Sequence, residues 1–207
     1  MFCKLSAMFE HDVQTSRQYF EEGEKILKSG KKRILLHSCC APCSSSVLWY
    51  LMPLSYVTVF FYNPNVMPYS EYAKRLTEQR RLCSIMGVNL VEGDYDAERF
   101  LSFACDMRYI PEGGKRCEKC FYMRLKATAE MAQEGDYDYF CTTLTVSPHK
   151  NADKINEIGN AVAKETGISF LPSDFKKKDG YLRSIKLSKE YELYRQEYCG
   201  CRLQDKI

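Results

Sequence analysis

The regular alternation of strand-like and helix-like segments is the feature that most constrains the fold of this chain. Short apolar or β-branched runs, such as residues 31–38 and 55–63, alternate with longer charged segments that carry helix start and stop signals. Consecutive parallel strands need a crossover connection, which a helix normally provides. We therefore predict an α/β protein: a single Rossmann-like layered domain with a mainly parallel sheet covered by helices on both faces.

The predicted elements divide the chain into a short extension and one domain. Residues 1–32 are predicted to form an N-terminal helical extension. Residues 33–207 are predicted to form the α/β catalytic domain, which includes a basic, aromatic C-terminal helix with a CxC motif. We predict strands over 31–38, 55–63, 88–94, 138–145 and 168–175, and helices over 10–30, 45–52, 70–87, 97–110, 117–135, 151–167 and 187–198.

Length and composition exclude several classes of protein. A chain of 207 residues is long enough to bury a core without help from disulfides. Pro53 and several hydroxyl residues interrupt its most apolar stretch, so no segment reaches the roughly 18 apolar residues of a membrane span. The first residues carry no long apolar run of the kind found in export signals. We therefore expect a cytoplasmic protein with no membrane partner.

Four segments with reactive or polar side chains come directly after predicted strands. Because ligands in open parallel sheets bind beyond the carboxyl ends of the strands, we expect these segments to converge on one crevice. They are Cys39–Ser46, Asn63–Tyr72, Glu92–Asp96 and Thr142–Lys150.

Seven of the eleven cysteines of the chain are grouped in short motifs. A CCxxC run (Cys39, Cys40, Cys43) follows the first predicted strand, and a CxxC pair (Cys117, Cys120) opens a predicted helix. Disulfides of a small secreted protein would instead be spread between loops. The grouping therefore indicates metal or redox chemistry.

Cys39, Cys40, Cys117 and Cys120 together supply the four thiolates of a 4Fe-4S cluster or a structural zinc ion. Adjacent cysteines are less common in zinc sites, so we favour the 4Fe-4S cluster, with zinc and free buried thiols as alternatives. Cys43 is a fifth candidate. Three roles are open for it: a ligand to an additional iron ion beside the cluster, a spare thiol, or a small residue packed at a helix start.

Cys199 and Cys201 differ in kind from the other cysteines. A disulfide between cysteines two residues apart closes a tight, strained ring. Gly200 between them has no side chain that would obstruct this ring. Strained disulfides are the labile ones with catalytic or regulatory roles. We therefore predict a redox-active pair, and the alternatives are cluster ligands or inert tail residues.

Two of the segments after predicted strands carry candidates for substrate binding. Asn63, Tyr69 and Arg75 suit a phosphate or a nucleoside, and the alternative is a rigid loop that caps a helix. Ser147 and Lys150 precede a predicted helix, where backbone amides bind anions.

Asp94 and His149 are candidate proton donors for catalysis. Both have ordinary structural alternatives. A carboxylate at a strand end often caps the next helix. A lone histidine is usually exposed or hydrogen-bonded to a neighbouring group.

Basic residues outnumber acidic ones between Phe175 and Arg202 and are interleaved with aromatic residues. That combination suits a single-stranded RNA loop, whose phosphates need cations and whose bases stack. We take the KKKDGYLRS stretch, which contains Arg183, as the RNA-binding candidate. Tyr191, Tyr194 and Tyr198 have helical spacing and are instead predicted to form the buried face of the last helix.

Together, the ordered motifs of the chain resemble those of the QueH family of epoxyqueuosine reductases, over about residues 33–203. The motifs are HSCCAPCSSSVLWYL, FYNPNVMPYSEYAKR, EGDYD, RCEKCFYMRL, TTLTVSPHKN, SDFKKKDGYLRS and YRQEYCGCRL. The combination of a double cysteine, a CxxC and a CGC is the most specific part of this resemblance.

The resemblance implies a cytoplasmic, iron–sulfur-dependent oxidoreductase with an adenine nucleotide alpha hydrolase-like fold. Such an enzyme removes the epoxide oxygen of epoxyqueuosine at the wobble position of tRNA, in the anticodon loop, and draws on an external electron donor. The implied cluster ligands are Cys39, Cys40, Cys117 and Cys120, and the implied redox-active disulfide joins Cys199 and Cys201. The role of Cys43 carries over least securely, because family members vary at that position.

Two other functions compete with this interpretation. An ATP-dependent tRNA-thiolation enzyme shares the layered fold, but it should carry a glycine-rich phosphate loop after the first strand, where this chain has HSCCAPCS. A zinc-stabilised, non-catalytic RNA-binding module is the second alternative, and the identity of the bound metal separates it from the reductase.

Overall fold

The computed structural model describes residues 14–196 and 198–201. Its centre is a five-stranded sheet in which every neighbouring pair of strands is parallel, in the order β3-β2-β1-β4-β5. The predicted α/β fold with a parallel sheet is confirmed. The strands are β1 (Arg33–His37), β2 (Tyr56–Phe61), β3 (Asn89–Glu92), β4 (Tyr139–Thr142) and β5 (Ser169–Phe170).

The middle strand, β1, is apolar because helices cover both of its faces. Ile34, Leu35 and Leu36 are fully buried and contribute to the two main hydrophobic clusters of the protein. At the carboxyl end of the strand, His37 pairs with Phe60 of β2 and Thr142 of β4. The loops that follow these three strands therefore leave the sheet at the same edge.

Seven helices and one 3-10 turn connect or cover the strands in the described part of the chain. None of these helices is both long and apolar enough to cross a membrane. They are α1 (Ser16–Lys28), α2 (Ala41–Leu51), α3 (Tyr69–Met86), α4 (Ala97–Ala104), α5 (Lys115–Glu134), α6 (Ala152–Thr166) and α7 (Gly180–Glu190), with the 3-10 turn at Thr143–Val146.

Helix α1 packs on the domain rather than standing apart from it. Thr15 caps its first turn through a capping box with Gln18. Its buried face consists of Tyr19, Gly23 and Leu27, and a side chain on Gly23 would meet the carbonyl oxygen of Pro172 at 2.2 Å. Residues 10–13 of the predicted helix lie outside the described residues, and the domain boundary at residue 32 stays a prediction.

Several predicted elements are shorter or begin elsewhere in the structure. The helix predicted over 97–110 ends at Ala104, and the strand predicted over 168–175 is limited to Ser169–Phe170. Helix α2 starts at Ala41 rather than at residue 45, because Pro42 fits the first turn of a helix, where an amide proton is not needed.

The closing helix predicted over residues 187–198 is wrong. Helix α7 ends at Glu190, and Glu192 has a positive φ of 52°. The chain then runs along α3, where tertiary contacts replace helical hydrogen bonds. Arg81 donates to the carbonyl oxygen of Tyr191 at 2.8 Å, and the amide of Tyr194 donates to Glu78 at 2.9 Å. The predicted tyrosine face therefore does not exist as a helix face.

Gly180 offers a test of the close turn that leads into α7. A Cβ at this position would lie 1.8 Å from the carbonyl oxygen of Phe175, so Gly180→Ala must shift backbone. We expect a loss of about 2 kcal/mol in the free energy of unfolding, or about 4–8 °C in Tm for a chain of this size. Leu182→Ala, at an exposed position of the same helix, is the control. Equal Tm values for both variants would contradict the close approach.

Candidate active site

The first group of thiols lies in the loop between β1 and α2 and in the first turn of α2. The Sγ atoms of Cys39, Cys40 and Cys43 all lie within 4.8 Å of one another, and those of Cys39 and Cys40 are 3.7 Å apart. Helix α2 begins directly after Cys40, so its positive N-terminal end favours anionic sulfur. Among the described residues, this is the one compact group of cysteine, histidine or acidic side chains with the spacing of a metal site.

The hydroxyl of Thr143 fixes the position of Cys39. It accepts a hydrogen bond from the Cys39 amide at 3.1 Å and donates to the Cys39 Sγ at 3.3 Å. Thr143 directly follows β4, whereas Cys39 follows β1. The parallel pairing of the two strands therefore positions both partners of this contact.

The second group of thiols lies at the start of α5. Cys117 and Cys120 are both buried, and their spacing places them about one helical turn apart. The amide of Gly113 donates to the Sγ of Cys117 at 3.2 Å. Both cysteines line a cavity together with Cys199 and Cys201 of the C-terminal segment.

Two adjoining cavities bring these thiols to the carboxyl edge of the sheet. The larger has a volume of about 790 Å³ and is lined by Cys39, Cys40 and Cys43. The smaller is lined by Cys117 and Cys120. Cys199, His149 and Lys150 line both cavities. The structure thus brings together cysteines from three remote segments.

Gly200 permits a close approach between the C-terminal segment and the loop after β2. Its carbonyl oxygen accepts a hydrogen bond from the Met67 amide at 2.9 Å. A side chain on Gly200 would meet Val66 at 2.7 Å. This contact holds the flanking Cys199 and Cys201, which are not joined by a disulfide in the structure.

Positive side chains surround the thiols and favour their ionised form. Hydrogen bonds from Cys40 and Cys43, helped by the charge of Lys150, hold the pKa of Cys39 well below its usual range. The Cys201 hydrogen bond and the charges of Lys150 and Arg124 lower the pKa of Cys199 in the same way, against the opposing effect of burial. The first group of thiols and the C-terminal pair of cysteines therefore each contain one sulfur whose lowered pKa favours the anionic form.

The neighbouring thiols stay protonated. The hydrogen bond to the anionic Cys39 raises the pKa of Cys40 to about 11, and burial raises the pKa of Cys120 to about 11. Burial by itself would lower the pKa of Lys150, but the sulfur anions of Cys199 and Cys39 outweigh it and raise this pKa. Lys150 is therefore a permanent positive charge between the two groups.

Arg75 is a second buried cation beside the thiols. Its Nε donates to Glu71 at 2.7 Å, its guanidinium lies 5.4 Å from the ring centroid of Tyr198, and its side chain is 5% exposed. One of its terminal nitrogens, Nη2, has no hydrogen-bond partner among the described residues. Although burial opposes it, Glu71 and the nearby Cys40 raise the pKa of Arg75.

The other predicted site residues lie at varying distances from the thiols. Ser147 and the exposed His149 border the larger cavity. Asn63 is fully buried and donates to the carbonyl oxygen of Ser38 at 2.8 Å, so it ties two loops together. Tyr69 is exposed at the start of α3. Asp94 is exposed and lines neither cavity.

Arg183 faces away from the cysteines. Its guanidinium lies 4.1 Å from the ring centroid of Trp49, and it lines a separate small cavity with residues such as Phe20 and Phe175. Its predicted contact with substrate stays a prediction.

Arg124 was not among the site residues predicted from the sequence. It connects Cys120 with the loop after β2. Its Nε donates to the carbonyl oxygen of Cys120 at 3.2 Å, and a terminal nitrogen reaches Asn63 at 3.4 Å. The available signal was its position four residues after Cys120 on the same predicted helix. His37 was also missed, but it is a buried neutral residue, since burial lowers its pKa to about 3.

Comparisons with known proteins agree on one family. A family model described as "Epoxyqueuosine reductase QueH" matches residues 34–206. The protein of that name from Staphylococcus epidermidis is 42% identical over 192 residues, covering 89% of this chain and 78% of the relative. Its namesake from Thermotoga maritima is 36% identical over 171 residues, covering 81% of this chain and 88% of the relative.

A solved structure shares the fold. The U34-tRNA thiolase NcsA from Methanococcus maripaludis, solved with its 4Fe-4S cluster, aligns with a TM-score of 0.52 and 13% sequence identity. The alignment covers 92% of this chain and 71% of the thiolase. At this identity the likeness concerns the layered fold alone.

Replacing Lys150 should change the acidity of the thiols on both sides of it. In reduced, metal-free protein, we expect Lys150→Gln to raise the pKa of Cys39 and Cys199, because each loses a nearby positive charge. Their alkylation by iodoacetamide, followed by peptide mass spectrometry, should then require higher pH than in the wild type. Lys164→Gln, at an exposed position near the far end of α6, is the control. An unshifted profile would contradict the electrostatic role of Lys150.

Proposed function

The chain belongs to the epoxyqueuosine reductase QueH family, and from that premise we propose that its thiol-lined cavities are where epoxyqueuosine in tRNA is reduced to queuosine. The family match makes the protein an oxidoreductase of tRNA modification. The observation that supports this location best is the meeting of cysteines from three remote segments around Lys150.

The side chains fit an iron–sulfur cluster. Cys39, Cys40, Cys117 and Cys120 would hold a 4Fe-4S cluster, since four thiolates complete its coordination shell. A cluster is larger than a single ion and suits ligands that come from two walls of a site. Lys150, Arg124 and the unpaired Nη2 of Arg75 supply positive charge for a group that is anionic with its ligands. When bound, such a cluster transfers single electrons.

Cys43 is the thiol available to an additional iron ion. Its Sγ lies within 4.8 Å of those of Cys39 and Cys40, and it borders the larger cavity rather than the smaller one. Its proposed role is separate from the four cluster ligands.

Cys199 and Cys201 would supply the electron pair of the reaction. Deoxygenation of an epoxide to an alkene takes two electrons and two protons and releases water. Oxidation of the Cys199 thiolate and the Cys201 thiol to one disulfide provides both electrons and one proton, and a proton donor at the site supplies the second proton, so the atoms and charges balance. The hydrogen bond between the two side chains and the lowered pKa of Cys199 suit this chemistry. An external electron donor must then reduce the disulfide.

Lys150 and His149 would act on the substrate itself. Both line the two cavities, so a substrate atom there lies close to a fixed cation, which stabilises negative charge as it develops on the epoxide oxygen. His149 is exposed at this edge and is the stronger candidate for proton supply. Asp94 lies outside both cavities, and its proposed role as a proton donor has no support from its position.

The remaining assignments follow from the family. The tRNA substrate would present its anticodon loop to the cavities, where Ser147, Asn63, Tyr69, Arg75 and Arg183 stay candidate contacts. A cytoplasmic location is part of the same proposal. ATP-dependent thiolation is not favoured, because the segment after β1 has cysteines and, in the first turn of α2, a proline instead of phosphate-binding glycines.

Loss of one proposed cluster ligand should remove the cofactor. We expect Cys120→Ser, purified without oxygen, to contain far less iron and acid-labile sulfide than the wild type and to lose its brown colour. Cys105→Ser changes an exposed free cysteine and should keep wild-type iron and sulfide. A colourless wild type that contains zinc would instead support the zinc-stabilised RNA-binding alternative.

Loss of one thiol of the redox pair should abolish turnover without removing the cofactor. We expect Cys199→Ser to retain iron and sulfide but to reduce epoxyqueuosine-containing tRNA only at the background rate, because no disulfide can form. The assay is nucleoside analysis of the tRNA after anaerobic incubation with a strong reductant. Unchanged turnover would refute the role of this pair.

A further inference from the structure

We propose that Tyr181 and Arg195 form the platform on which the modified base of the tRNA stacks. This inference rests on the proposed function and adds the residues that hold the base. Neither residue belongs to the groups that bind the proposed cofactor or supply electrons.

Tyr181 and Arg195 lie together at the larger cavity. Tyr181 is in the first turn of α7, and the guanidinium of Arg195 lies 5.6 Å from its ring centroid. Both residues line the cavity of about 790 Å³ that Cys39, Cys43 and Cys199 also line. A base stacked on Tyr181 therefore shares one enclosed volume with the reactive thiols.

The chemistry of this pair fits a nucleobase. Proteins recognise unpaired RNA bases by stacking them on aromatic rings and on the planes of arginine side chains. The cavity volume of about 790 Å³ falls within the roughly 300–1,000 Å³ typical of small-molecule sites, so it is large enough for one nucleotide. Lys150 and Ser147 on the same cavity offer partners for its polar groups.

Three other basic residues of this region have partners away from the thiols. Lys176 contacts Asp174 at 3.0 Å and donates to the carbonyl oxygen of Thr145 at 3.1 Å. Lys178 pairs with Glu24 of α1, and Arg183 lies over Trp49. Within the predicted RNA-binding stretch KKKDGYLRS, Tyr181 and Ser184 are the residues that reach the thiol-lined cavity.

The test compares two synthetic anticodon stem-loops that differ at the wobble position. One carries epoxyqueuosine there, and the other is abasic. We expect Tyr181→Leu to raise the Kd of the epoxyqueuosine stem-loop at least about tenfold, within the range measured for loss of a base–aromatic stack. The abasic stem-loop should bind both proteins equally, because it lacks the stacking partner. Fluorescence anisotropy measures both affinities without any turnover.

Conservative and control variants separate stacking from general damage. Tyr181→Phe keeps the ring and should keep wild-type affinity, whereas Arg195→Gln should weaken binding of the epoxyqueuosine stem-loop and not of the abasic one. Tyr56→Leu removes an exposed tyrosine that also has a cation beside it, Lys31, but lies at the amino end of β2. It should change neither Kd, and equal Tm values confirm that the variants are folded.

Two outcomes would overturn the platform. One is a Tyr181→Leu protein that binds the epoxyqueuosine stem-loop as tightly as Tyr56→Leu does. The other is an equal loss of affinity for both stem-loops. A wild-type enzyme that binds in the expected pattern but does not reduce the base would count against the proposed reaction and leave the platform intact.

Discussion

Parallel pairing of β1 with β2 and β4 is the constraint on which the rest of the structure depends. Because all three strands end at one edge, the loops that follow them meet, and hydrogen bonds across these loops set the positions of the thiols. Asn63 binds the carbonyl oxygen of Ser38, and Thr143 binds both the amide and the sulfur of Cys39. The site is therefore built by backbone geometry and buried polar contacts.

Buried positive charge gives this site its chemical character. A cation removed from water is costly unless a negative group lies nearby. Arg75 has Glu71 and the thiols beside it, and Lys150 lies between the two groups of sulfurs. The same charges that keep selected sulfurs anionic would also balance a cluster and attract RNA phosphates. One set of side chains would thus serve both the proposed cofactor and the approach of the proposed substrate.

The sequence predicted the layered fold and the meeting of the loop that carries Cys39 with the loop that carries Lys150, because strand periodicity and topology determine which loops meet. Features set by tertiary contact were not predictable in this way. The helical spacing of Tyr191, Tyr194 and Tyr198 is real, but contacts with α3 hold this segment out of a helix. Likewise, nothing in the spacing of Arg183 and Tyr181, two residues apart on α7, shows which of them faces the thiols.

The way the C-terminal segment is attached affects how Cys199 and Cys201 would be reduced again after each turnover. Cys199 and Cys201 lie on a stretch without regular secondary structure, anchored by contacts such as that between Gly200 and Met67, whereas Cys39 and Cys40 directly follow the central strand. Regions with few backbone hydrogen bonds open at a smaller free-energy cost than core strands. Opening of this segment should therefore cost less free energy than disturbing the end of the central strand, which favours access to Cys199 and Cys201 over access to Cys39 and Cys40.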